Sequence, residues 1–150
     1  MKTITRTNFL KLTGLPEPLC DHWYRRGIAK PPYTLSRTVG VALAHWLRRH
    51  DIGMTHAANV AKCISDVSEE YLADKIKRGY VLLVLELVSG KLFWARTTSV
   101  FRRHERGEAQ FCVIDMQAAF ERVKPRFDEI AKDDSTDRDS TQGKDIPLAT

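Results

Sequence analysis

Between residues 22 and 37 the chain sets His22, Trp23, Tyr24, Arg25 and Arg26 in one run and follows them with Lys30, Tyr33 and Arg37. Guanidinium and ammonium groups interleaved with aromatic rings suit the gripping of phosphate oxygens beside planar groups that pack or stack. Catalytic and metal-binding patterns do not accompany them. His45 and His50 stand five apart with no cysteine or carboxylate cluster at ligand spacing, so no metal site is expected. There is no glycine-rich phosphate loop, no Gly-x-Ser-x-Gly elbow and no His-Glu-x-x-His helix. Glu86, Glu105 and Glu108 read as solvated acids, and Cys63 has no neighbouring base that would activate it. No catalytic residue and no cofactor is assigned, and an enzyme ranks last among the functional classes weighed.

The charge is distributed so as to favour a polyanion. The 150 residues carry a formal +5. Residues 1–50 contribute +7, residues 51–130 cancel, and residues 131–150 contribute −2. An excess confined to one end is the electrostatic footprint of a nucleic-acid contact, or else a solvated face that aids solubility. Hydrophobic residues at 43% and charged residues at 29% predict a packed core. No apolar run reaches the ~20 residues of a membrane helix; the longest, Tyr80–Val88, already carries Glu86. A cytoplasmic chain without a membrane partner is expected. Its three cysteines, Cys20, Cys63 and Cys112, should be reduced and mostly buried.

The elements that must position these groups follow from caps and periodicity. Thr7 predicts the start of a short helix through Leu12, stopped at Thr13-Gly14. Pro16 opens a second helix to Arg26, ended by Gly27, with Cys20 and Trp23 on its core side. Ser36 caps the next, whose Val39, Ala42, Leu43, Trp46 and Leu47 form an apolar stripe. An alanine-rich helix over about 55–64 and another starting at Ser68 complete a helical unit, residues 1–79. Tyr80–Val88, a turn at Ser89-Gly90, Lys91–Val100 and Gln110–Asp115 read as three strands, with a charged loop, 102–108, before the third. Phe93 and Trp94 are read as core or interface residues. Asp115 caps a helix carrying Phe120, Val123, Phe127 and Ile130, interrupted or restarted at Pro125. This β-β-β-α segment, 80–131, should pack on the helical unit or on a second copy, and residues 132–150 read as a disordered acidic tail. The class is α+β.

The run Phe9-Leu10-Lys11-Leu12-Thr13-Gly14-Leu15, with Cys20-Asp21-His22-Trp23-Tyr24-Arg25-Arg26-Gly27-Ile28 and Lys30-Pro31-Pro32 after it, resembles the start of MerR-type winged helix-turn-helix regulators, whose topology excisionases share. The resemblance covers roughly residues 4–65 and is silent on 80–150. It implies a second helix lying in the major groove and a short wing returning through Tyr33-Thr34-Leu35-Ser36. The DNA-facing set it implies is Arg6, Thr7, Glu17, Asp21, His22, Arg25, Arg26, Lys30, Tyr33 and Arg37. Arg25 matches the basic position of the family, and Arg26, Lys30 and Arg37 would reach flanking phosphates. His22 stands where a groove-facing aromatic residue is usual, and Trp23 matches a position that is normally core. Asp21 replaces a usual arginine, and with Glu17 it would repel phosphate unless one carboxylate accepts from a cytosine amino group.

The leading expectation is a sequence-specific binder of double-stranded DNA, a transcriptional regulator acting as a homodimer. An excisionase-like architectural protein of a mobile element is the nearest alternative. A protein-interaction adaptor that has lost DNA binding, meeting its partner through residues 80–115, is the alternative from another class.

Overall fold

The computed structural model describes residues 1–97 and 110–149, the last of these, 133–149, by backbone alone. Expected features within 98–109, the charged loop and the end of the second strand, lie outside the described residues. Among the described residues there are six helices and a three-stranded antiparallel sheet: α1 (Arg6–Thr13), α2 (Glu17–Arg25), α3 (Leu35–Arg49), α4 (Met54–Ser65), α5 (Glu69–Lys77), β1 (Leu82–Glu86), β2 (Leu92–Ala95), β3 (Phe111–Asp115) and α6 (Met116–Ala149). The α+β class is therefore as expected.

Local chemistry sets the helix ends. Thr5, not Thr7, caps α1, its side chain accepting from the Asn8 amide. Thr7 lies exposed inside the helix. Gly14 closes α1 at φ 69°, a left-handed conformation that glycine adopts without a Cβ clash. The Thr13 hydroxyl then ties the turn together, donating to the Phe9 carbonyl at 2.8 Å and accepting from the Leu15 amide at 3.2 Å. Thr34 caps α3 through the Arg37 amide, two residues earlier than the Ser36 cap expected, and Ser36 is buried. A β-region Thr immediately ahead of Leu35 offers its hydroxyl to an orphan amide two residues sooner than Ser36 can. Ser68 and Asp115 cap α5 and α6 as read from sequence.

β1 is the central strand, flanked by β2 and β3. The register sets Val84 opposite Phe93 on one side and Val113 on the other. Strand alternation turns Leu83, Leu85 and Ile114 to the helices, where they join one core cluster with Trp23, Phe9, Leu47, Ile64, Phe120 and Phe127. The β-β-β-α segment thus packs on the helical unit. α3 and α4 approach closely at Gly40, where an added Cβ would lie 2.8 Å from the Ala61 carbonyl oxygen.

Several sequence expectations change. Residues 26–34 form no β-hairpin; their one β-bridge, Ile4 with Tyr33, ties the N-terminus to the entrance of α3, so the expected wing is not formed there. α6 passes through Pro125 without a break. Its apolar stripe, Phe120, Val123 and Phe127, is buried on both sides of the proline, while Pro125 itself is exposed. The backbone of α6 runs on to Ala149, over most of the residues read as a disordered acidic tail. Trp46 is 41% exposed instead of joining the core, and Cys63 is exposed while Cys20 is buried and Cys112 half-buried.

Candidate nucleic-acid interface

The α1–turn–α2 unit is anchored from within by Phe9, Leu15, Cys20 and Trp23, all buried. α2 is only nine residues long, and its C-terminus is wound down by the Trp23 carbonyl, which accepts from the Ile28 amide at 2.9 Å. Ile28 and Ala29 drop into the core, and Lys30 emerges after them into solvent. The Arg37 guanidinium donates to the Lys30 carbonyl, while the Lys30 ammonium lies 5.9 Å from the centre of the Tyr24 ring. Two contacts therefore hold the 26–34 segment against α2 and α3.

The expected DNA-facing residues divide into three groups. His22, Arg25, Arg26 and Lys30 are exposed, and among the described residues none of them is in an ion pair. Exposure of cations in the last turn of α2 also complements the helix dipole, whether or not an anion is present. Glu17 and Asp21, one turn apart on α2, both meet Arg6 of α1, at 3.4 Å for Glu17 and in a closer contact for Asp21. The guanidinium offsets part of the negative charge that sequence placed on this face, and the same contact braces α1 against α2. Arg6 is thus committed to carboxylates and is not a free phosphate ligand. Glu17 in the first turn gains further from the helix N-terminus.

Tyr33 and Arg37 need correction. Tyr33 is 5% exposed and stacks on Phe9 with ring centres 4.3 Å apart, so it belongs to the core. Its hydroxyl donates to the Ala29 carbonyl at 3.3 Å, and burial pushes its ionisation above the ordinary tyrosine range. Arg37 is half-buried with a shielded Nε atom, and its guanidinium donates to the Lys30 carbonyl. Thr7 is exposed on α1, which has moved its cap to Thr5. Trp23 is core as read from sequence, edge-on to His45 with ring centres 6.4 Å apart.

A second concave feature escaped the sequence reading. α3 and the start of α6 enclose a cleft of about 280 Å³ with Val39, Leu43, Ile114 and Val123 among its lining residues and Arg49 and Arg122 beside Trp46. The signal available in sequence was only the spacing of His45 and Arg49, one turn apart on α3; Arg122 arrives from seventy residues away in space alone. No group of three or more potential metal ligands occurs among the described residues. No helix among them is long and apolar enough to cross a membrane. Comparison of the chain with protein-family models, with curated proteins and with solved structures gives no match.

Proposed function

We propose that this protein binds duplex DNA through α2 and the segment that follows it, with the α1–turn–α2 pair acting as a helix-turn-helix and the chain serving in transcriptional regulation. The observation that carries this reading is the sorting of charge around α2. The two carboxylates are taken up by Arg6, whereas Arg25, Arg26 and Lys30 are exposed and, among the described residues, in no ion pair. Cations left free on a short helix stapled from behind by a buried tryptophan suit phosphate contacts on either side of a groove. Without a β-hairpin at 26–34, the contact is made by a helix and its following turn rather than by a wing.

The test is fluorescence anisotropy with labelled random-sequence duplexes across a salt series. Replacing Arg25 and Arg26 together by Ala should weaken binding about tenfold or more, and should reduce the slope of log affinity against log salt by about two. Binding indifferent to both salt and the substitutions would overturn the proposal. Selection of duplexes from a random pool would then report whether the preferred sites are two-fold symmetric, and a bending assay separates a regulator from an excisionase-like architectural protein.

A homodimer fits the same reading. Half-buried Phe93, Phe111 and Val113 flank the fully buried Val84 on the sheet face turned away from the helices, and Phe93 meets Phe111 edge-on at 6.4 Å. β2 and β3 are also the outer strands of the sheet among the described residues, the position from which strands pair with a second copy. The adaptor alternative draws on this same sheet face and would be favoured by partner co-purification without measurable DNA affinity.

A further inference from the structure

The cleft between α3 and α6 carries chemistry that the DNA reading does not use. Its lining divides into two parts. Val39, Leu43, Ile114 and Val123 supply a buried apolar floor, while Arg49 and Arg122 stand exposed beside it from opposite helices. Among the described residues neither guanidinium is in an ion pair. Among the described residues Asp115 is the carboxylate that lines the cleft; it caps α6, its Oδ1 accepting from the Ala118 amide at 2.9 Å, and its charge is opposed by the two arginines. Half-buried His45 lines the same wall, its pKa lowered first by burial and then by the nearby Arg49 charge.

An apolar floor beside two guanidiniums that are in no ion pair among the described residues is complementary to one class of molecule, an anion with an apolar body. Two arginines facing a small cleft favour a carboxylate, because the guanidinium fork matches its two oxygens. A cleft of about 280 Å³ lies near the lower end of the size range of small-ligand sites, enough for a single ring or a medium chain but not for a nucleotide. Pockets of this kind combine an apolar lining with a few polar groups that fix orientation.

We propose that this cleft is a binding site for a small amphipathic monocarboxylate, an aryl or medium-chain acid, whose carboxylate is held by Arg49 and Arg122 and whose apolar body lies on Val39, Leu43, Ile114 and Val123. The inference goes beyond the DNA reading and does not depend on it. His45 shares the cleft wall and touches Trp23, the buried anchor of α2, so an occupied cleft lies one side chain away from the proposed DNA-contacting helix.

The test uses the full chain and the probes salicylate, indole-3-acetate and octanoate, each paired with its uncharged alcohol or amide counterpart. Isothermal titration gives affinity, and the change in tryptophan emission on octanoate binding, present in the parent and lost in W46F, reports location at Trp46, which lines the cleft and is 41% exposed. The expected result is saturable binding of at least one acid, at least about tenfold tighter than its uncharged counterpart. R49A and R122A should each weaken it by about tenfold, with R126A, on an exposed part of α6 outside the cleft, as a matched control. A119L, which fills the cleft without removing a charge, should block binding while leaving circular dichroism and the thermal melt close to those of the parent. Three outcomes would overturn the proposal: no saturable binding at millimolar acid, equal affinity for acid and uncharged counterpart, or binding indifferent to R49A and R122A in variants whose melts show them folded. None of these outcomes bears on duplex affinity, so failure here is distinguishable from failure of the DNA reading.

Discussion

Arg6 decides how two carboxylates behave. In an extended chain Glu17 and Asp21 would repel phosphate; beside Arg6 their charge is partly offset and their geometry fixed. Arg6→Ala should leave the melting temperature nearly unchanged, because exposed ion pairs contribute little to stability. It should nevertheless weaken duplex binding, since two uncompensated carboxylates are left on α2. The double variant Glu17→Gln, Asp21→Asn should bind duplex more tightly, as measured by the same anisotropy titration. His45 offers a second residue-scale expectation. Its folded-state pKa is lowered, first by desolvation and then by Arg49, while Arg122 and Asp115 face it across the cleft. The unfolded chain therefore takes up the proton first as pH falls, so the contribution of His45 to stability is present above pH ~6.5 and declines below it. Urea midpoints at successive pH values should show a shallower decline in His45→Gln than in the parent across that window.

At the scale of elements, close approach and capping do the work. α3 and α4 meet through Gly40, and a methyl group there would press on the Ala61 carbonyl at 2.8 Å and the Ser65 hydroxyl at 3.1 Å. Gly40→Ala should destabilise the fold by about 1–3 kcal/mol, despite the better helix propensity of alanine, because the obstructing oxygen belongs to backbone that cannot rotate away. Chemical denaturation of the variant checks it. Asp115→Ala should cost about 1 kcal/mol by releasing the Ala118 amide from its cap, measured in the same way. α6 is further tied to α5 by Lys124, which meets both Glu69 and Asp128, and these two acids raise its pKa. Most helices and all three strands could be placed from caps and periodicity, because both are properties of neighbouring residues. The Thr5 and Thr34 caps were missed since a threonine lies close to an equally suitable cap residue in each case, and only the path of the backbone chooses between them.

Over the whole molecule, one core runs from Phe9 and Trp23 through α3 to Phe127. Removal of residues 116–150 should therefore abolish the cooperative thermal transition of the helical unit as well, since Met116, Phe120, Val123 and Phe127 are part of that core. A melt by circular dichroism in which residues 1–115 still unfold cooperatively would show that α6 is dispensable. Composition, charge placement and periodicity were enough to establish an α+β chain with a cationic N-terminal third, two short helices around Gly14 and a strand-rich segment after residue 80. These are local or additive properties, and each residue carries its share of them wherever the chain goes. Which charges stay free was settled by folding alone: Arg6 lies eleven residues before Glu17 in sequence yet meets it across a turn, Tyr33 is drawn inward by Phe9, and Arg49 and Arg122 share a cleft because α6 packs back on α3. Contacts between distant residues depend on the relative placement of helices, which no local pattern encodes.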